Sequence, residues 1–450
     1  MLNDSRRSSV FVVGICMLAI FVLALALRLQ YQSESRVDTP LRADSGKYFT
    51  AAFNYYFHGV RSLDKPSLST KPNGRTDLSP GYPLFLTLFF SDKPQASKIF
   101  QKVGTVQAVL GATTAALTFL LAYTGLPIGW ALLAGCLTAL SPHLIALSQL
   151  MLTETVFTFL VVSGLFLATL AYRRQSLIFA VTSTLILIAA GYVRTIGFVL
   201  PVLLIPIFLT VPQSPSVGLF TTRRLTMSAA PILAFALFAA GLWGLEQVKK
   251  SDSSRAMAPQ SEYQRIGAPA AYLAATIKPP QFLVDGDSHI LQKNRNTEWK
   301  RPTNISFADA PAAYINWNVW GRWFWMWHFD NAYIGDVYIY PMLTSGFEEN
   351  DGLKAIHVLM QFLHWPLYLL SWIGVAMLAK LFFESREPTN TNLRSSTTFW
   401  PIALAFAIFL AALSIVAWLP RYTIPLRPVS YVLASFALYY FTVWCKTADS

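Results

Sequence analysis

The sequence predicts an all-α polytopic membrane protein, a bundle of about ten transmembrane helices with interfacial helices in its first outer loop and one large extracytoplasmic loop. Three observations carry that prediction. Of the 450 residues, 54% are hydrophobic and only 13% are charged, a composition outside the range of soluble domains. Apolar runs near the roughly 20 residues needed to cross a bilayer return from end to end of the chain. Basic residues gather at alternate ends of those runs, as expected where Lys and Arg are retained on the cytoplasmic side.

The runs cover residues 10–27, 99–123, 129–147, 154–171, 177–192, 196–211, 225–245, 357–378, 399–416 and 430–443. The first follows Arg6-Arg7 and contains Ala24-Leu25-Ala26, which imitates a signal-peptide cleavage site, but its length and the hydrophobic chain behind it favour a retained anchor. Residues 83–90 are apolar yet too short to cross. With the amino terminus inside, Arg6-Arg7, Arg173-Arg174, Arg223-Arg224, Lys380 with Arg386, and Lys446 all fall on the cytoplasmic side, and both termini are cytoplasmic. The first outer loop (28–98), the links at 148–153, 192–196 and 418–428, and a large polar loop then share the outer face. The chain divides into a transmembrane module over 1–245, the large loop over 246–356, and C-terminal transmembrane helices over 357–450.

The large loop crowds Trp317, Trp320, Trp323, Trp325 and Trp327 near its end, and Trp favours the membrane–water boundary, so the loop is expected to fold back onto the membrane. The net charge of +12 is spread over many loops without the dense basic run of a nucleic-acid binder. Cys16, Cys136 and Cys445 lie in or beside apolar runs and offer no disulfide framework or metal spacing. The six histidines are scattered, with no pair at the spacing of a helical metal site, so a divalent metal is possible but not indicated and no cofactor is required. No repeat of about 20–50 residues is present.

Ionisable groups at membrane depth cost free energy and usually have a task, so four outer motifs are the functional candidates. The first is the stretch from Arg42 to Gly59. It places Asp44 at the start of a predicted helix whose Tyr48, Ala51, Ala52, Tyr55 and Gly59 recur at helical spacing, and it is followed by Ser79-Pro80-Gly81-Tyr82-Pro83, a turn leading into a short helix. The second is Thr153-Glu154, where Thr153 is expected to cap a helix and Glu154 to sit in its first turn. The third is Arg194, between two closely linked runs. The fourth is the proline-broken link that carries Arg421, Tyr422 and Arg427.

In their order and sidedness these residues resemble the GT-C superfamily of membrane glycosyltransferases, in particular the group of protein O-mannosyltransferases and lipid A aminoarabinose transferases. The resemblance covers most of the chain and rests on Asp44 to Gly59, the Pro-Gly-Tyr-Pro segment, Thr153-Glu154, the Arg194 link and Arg421-Tyr422. It implies an inverting transfer of a sugar from a polyprenyl-phosphate donor to a hydroxyl acceptor (a lipid, an envelope glycan or a protein) on the outer face of the cytoplasmic membrane.

Under that resemblance Asp44 is the general base and Glu154 orients the acceptor or a catalytic residue. Arg194 and Arg421, with Tyr422 and Lys47 beside them, hold the departing lipid phosphate, which needs cationic donors more than a proton. Tyr48, Tyr55, Tyr82 and, in the large loop, Asp330 would line the substrate pocket. Some relatives carry a second acid next to the base; Ser45 stands there instead, which leaves the base to act alone. Each residue also has a plainer reading: Asp44 as an N-cap, Glu154 as a dipole partner, the arginines as headgroup anchors, Lys47 as a solvated charge and the tyrosines as packing. A transporter or lipid flippase is the other class with this many spans, but it would place charges at mid-membrane, whereas here they gather at outer helix ends.

Overall fold

The computed structural model describes residues 2–37, 40–41, 43–74, 76, 78–92, 94–202, 204, 326–329, 342–384, 399–416 and 420–448, with isolated positions between 229 and 236. Two compact units emerge. The first comprises Met1–Phe235, Met342–Phe409 and Pro425–Ser450; the second comprises Ala236–Pro341 and Leu410–Ile424.

Within the first unit the helices are α1 (Leu2–Glu34), α2 (Ala43–His58), α3 (Gly81–Thr87), α4 (Ala96–Tyr123), α5 (Ile128–Leu140), α6 (Pro142–Gln149), α7 (Glu154–Arg174) and α8 (Leu177–Val193). After them come α9 (Gly346–Glu349), α10 (Asp351–Glu384), α11 (Trp400–Val416), whose last residues belong to the second unit, and α12 (Arg427–Ala448). Among the described residues five helices are long and apolar enough to cross a membrane, or six if α5 and α6 form one broken span, and the chain is a multi-pass membrane protein. Leu177–Val193 and Trp400–Val416 are apolar helices of 17 residues. Of the expected run at 196–211, residues 196–202 and 204 are described, and the run at 225–245 lies almost wholly outside the described residues.

Two expected spans differ in form. The run at 10–27 belongs to a helix that continues to Glu34, because Arg28 and Tyr31 in the added turns are buried against neighbours. The run at 129–147 is not one rod. It bends by 46° at Ser141, where the following Pro142 opens α6 at its first position and cannot continue the hydrogen-bond ladder of α5.

α4 is the central element, packed by α1, α5 and α7. Small residues make this possible: Ala108, Ala112 and Ala115 are almost wholly buried, and an added Cβ at Gly104 would meet the carbonyl oxygen of Gln149 at 3.3 Å. The antiparallel run of α4, α5, α7 and α8 sorts their termini into two ends. One holds the tight turn from α4 to α5 and the link from α7 to α8, joined by Arg173, whose guanidinium donates to the Thr124 carbonyl. The other holds the start of α4, the end of α6, the start of α7 and the end of α8; it also carries α2 and α3 and is called here the site end.

A two-stranded ribbon lies at the site end. β1 (Arg36–Val37) pairs antiparallel with β2 (Met342–Thr344), Thr344 Oγ1 donates to the Glu34 carbonyl at 3.1 Å, and Gly346 N donates to Ser35 Oγ at 2.8 Å. The ribbon fixes the start of α10 beside the end of α1, with the Tyr31 and Phe347 rings 4.6 Å apart.

The described residues of the second unit include 326–329, the end of α11 from Leu410 and a 3-10 turn opening at Pro420. Met326 and Trp327 are buried there, and Thr423 Oγ1 donates to the Met326 carbonyl at 3.1 Å. The expected crowding of Trp317 to Trp325 lies outside the described residues.

Candidate active site

α2 positions the first acid. Asp44 falls in its first turn, one residue after Ala43 opens the helix, where a carboxylate is favoured by the helix dipole. Lys47 follows at the i+3 spacing, and its ammonium stands 3.4 Å from Asp44 Oδ1, with the two side chains 46% and 28% exposed. Ser45, at the place of a second acid, is fully buried and donates to the Pro40 carbonyl at 2.9 Å. The helix closes at Gly59, whose φ of 68° is left-handed and suits glycine.

The buried face of α2 is rotated from the one its spacing predicts. Ala51 and Ala52 are buried as expected, but Tyr55 is 39% exposed, while Phe49 and Phe53 turn inward against Phe90. Six aromatic residues ring the helix between 48 and 57, so periodicity alone does not choose the face; the partner ring of Phe90 does.

Tyr48 packs edge-on to Tyr82 of α3, with ring centroids 5.1 Å apart. α3 is the short helix expected after Pro80-Gly81, and its first residue abuts the end of α8. A Cβ on Gly81 would lie 2.8 Å from the carbonyl oxygen of Tyr192 and the amide nitrogen of Val193. The segment bearing Tyr82 is thereby placed next to the turn that presents Arg194.

Arg194 and Glu154 meet. Nη1 of Arg194 donates to Glu154 Oε1 at 2.9 Å, with the side chains 10% and 2% exposed. Glu154 lies in the first turn of α7 as predicted, but Thr153 makes no side-chain cap; its hydroxyl donates to Glu154 Oε2 at 3.3 Å instead. The guanidinium of Arg194 also lies over the Phe157 ring, 5.8 Å from its centroid. Arg194 itself is an extended residue between α8 and the 3-10 turn Thr195–Phe198, and its carbonyl accepts from Gly197 N. A cation and a carboxylate predicted as separate actors are one buried, charge-assisted pair.

Arg421 and Tyr422 belong to the second unit, where Arg421 is 7% exposed and its guanidinium lies 5.8 Å from the centroid of the Tyr422 ring. Asp330 lies outside the described residues. Among the described residues no three His, Cys, Asp or Glu side chains gather closely enough to hold a metal ion.

Three buried polar groups stand out in the first unit, of which sequence reasoning missed Gln107 and Arg28 and named Arg427 only as part of the fourth motif. Gln107 of α4 is fully buried; its amide oxygen accepts from Tyr82 Oη at 2.8 Å and its amide nitrogen donates to the carbonyls of Ser148 and Leu150. Arg28 of α1 is 1% exposed and donates to the Ala24 and Ala139 carbonyls. Arg427 donates to Nδ1 of His364 at 3.3 Å, which makes that nitrogen the acceptor of the ring. The available signal was the presence of a lone amide or guanidinium inside an apolar run.

No family model matches the chain, and no curated protein matches it in sequence. Solved structures do. The archaeal oligosaccharyltransferase AglB from Archaeoglobus fulgidus, in complex with an inhibitory peptide and a dolichol-phosphate, matches with a TM-score of 0.50 at 14% identity over 96% of this chain. The apo form of the Archaeoglobus fulgidus oligosaccharyltransferase matches with a TM-score of 0.48 at 14% identity over 94% of this chain. In both cases the chain spans 50% of the matched protein's length. At this identity the first of these likenesses establishes a shared fold.

Proposed function

We propose that the protein is a GT-C type glycosyltransferase that moves a sugar from a polyprenyl-phosphate donor to a hydroxyl acceptor on the outer face of the cytoplasmic membrane. The observation that carries this reading is the convergence at one end of the bundle of a first-turn carboxylate, Asp44, and a buried Glu154–Arg194 pair, on elements joined through α3. The fold likeness is to an oligosaccharyltransferase solved with a dolichol-phosphate, which supports a lipid phosphate as the donor's carrier in kind. The protein O-mannosyltransferase and aminoarabinose transferase group remains part of the proposal on the strength of the motif order.

In the proposed reaction the acceptor oxygen attacks the anomeric carbon while Asp44 takes its proton. The new carbon–oxygen bond forms as the bond from that carbon to the phosphate oxygen breaks, on opposite faces, so the anomeric centre inverts. The lipid phosphate departs as an anion. Arg194 would supply the cationic guanidinium, planar and always charged, that a departing phosphate needs, while Glu154 holds it through Nη1. Glu154 thus orients the phosphate-binding arginine. Lys47 would add positive charge beside the base, and Tyr48 and Tyr55 would border the sugar, with the buried Tyr82 packed behind Tyr48.

The test uses purified protein in lipid nanodiscs, labelled polyprenyl-phosphate sugars and candidate acceptors. Asp44→Asn is expected to lower transfer by roughly 10²–10⁴-fold, the usual worth of a general base, with the protein still folded. Full transfer by that variant refutes the base; no transfer by the wild type with any such donor refutes the class.

A further inference from the structure

Gln107 uses its full amide at once. Its oxygen accepts from Tyr82 Oη at 2.8 Å, and its nitrogen donates to Ser148 O at 3.1 Å and to Leu150 O at 2.6 Å. Both Gln107 and Tyr82 are fully buried, so each of these groups would lack a water partner if the amide were removed. The three bonds run from one residue of α4 to two different parts of the site end. Toward α3 they reach Tyr82, whose ring meets Tyr48 on the turn of α2 that follows Asp44. Toward α6 they reach the last turn and the link that ends four residues later at Glu154.

α4 packs against α1, α5, α6 and α7, and one turn before Gln107 its Gly104 lets the Gln149 carbonyl at the end of α6 approach closely. A second hydrogen bond, from Thr155 Oγ1 to Leu147 O at 3.1 Å, ties the first turn of α7 to the same segment. A displacement at either arm of the amide therefore moves one side of the candidate site relative to the other.

We propose that Gln107 is a positioning residue: it sets the separation between the helix that carries Asp44 and the Glu154–Arg194 pair, acting through Tyr82 on one side and the Ser148–Leu150 carbonyls on the other. The inference rests on the transferase reading for its effect on rate, but its geometric content stands without it. A neutral amide is suited to the task, since it supplies one acceptor and two donors and adds no charge to a buried site.

The experiment labels Tyr56→Cys on α2 and Thr195→Cys after α8 with spin labels, in full-length protein whose Cys16, Cys136 and Cys445 are replaced by Ser, and measures their distance distribution in nanodiscs. Wild type is expected to give one narrow distribution. Gln107→Met, which keeps the length but removes the hydrogen bonds, and Tyr82→Phe, which removes one hydroxyl, are each expected to broaden or shift it, and the double variant to change it no more than Gln107→Met alone. In the transfer assay kcat should fall roughly ten- to a hundredfold with KM for the donor unchanged, as for misplaced reacting groups. If Gln107→Met fails to fold, Tyr82→Phe carries both readouts. Unchanged distributions, or independent additive effects of the two variants, overturn the proposal. Changed distributions in a protein that transfers no sugar overturn the transferase reading and leave the positioning role standing.

Discussion

The Glu154–Arg194 pair can be dissected by a double-mutant cycle. Its atoms are 2.9 Å apart and the side chains are 2% and 10% exposed, so each partner alone would be a charge kept from water by the fold. Removing one partner of such a pair costs about 3–5 kcal/mol, whereas replacing both by apolar groups of similar volume is often neutral. Glu154→Leu is therefore expected to destabilise by about 4 kcal/mol and Arg194→Met by a similar amount. The double variant should lose only about 1–2 kcal/mol, which leaves a coupling of roughly 6 kcal/mol, reduced toward 3 where Arg194 turns to solvent or stays stacked on Phe157. Glu154→Gln, which keeps an acceptor but not the charge, should cost about 1.5–3 kcal/mol. The assay is reversible unfolding in mixed detergent micelles, followed by the fluorescence of the chain's 13 tryptophans. Additive single effects, or a loss below about 1 kcal/mol for Glu154→Leu, would refute the reasoning that the pair is a mutually dependent buried unit.

Two further outcomes follow from the packing. Gly81→Ala should destabilise by about 1–3 kcal/mol and raise hydrogen exchange at the end of α8, because the new Cβ meets backbone atoms of Tyr192 and Val193 at 2.8 Å that no side-chain rotation can clear. Arg28→Met should leave stability unchanged or raise it by about 1–2 kcal/mol in the same unfolding assay: among the described residues its Nε and Nη2 are buried without a partner, and the apolar replacement removes that burden. A loss of more than about 2 kcal/mol would show that the Ala139 carbonyl at the α5–α6 bend depends on the guanidinium.

The sequence made some of these features readable for simple reasons. Glu154 stands where an apolar run begins and Asp44 where an aromatic-rich helical pattern begins in the first outer loop, and first-turn acids are a local signal. The alternation of basic residues placed Glu154 and Arg194 on one face, but their pairing was not readable, because the residues are 40 apart and sidedness does not say which side chains meet. The bend at Ser141 had a local sign, Pro142, yet hydrophobicity averaged over the run concealed it. The inward face of α2 depended on Phe90, a partner about 40 positions away, and the role of Gln107 depended on carbonyls brought to it by that bend. Long-range partners decided each feature that local pattern left open.

The ribbon between β1 and β2 also has a temporal meaning. Thr344 bonds Glu34 across 310 positions of chain, so the clasp that holds the start of α10 to the end of α1 has no second half until that length of chain has been made. At about 5–20 residues per second, some fifteen seconds to a minute of synthesis separate the two strands. Throughout that interval the polar segment after α1 must stay open while the intervening helices insert. The final fastening of the site end is thus a late event in the protein's biogenesis, and it offers a checkpoint at which a truncated chain differs from a finished one.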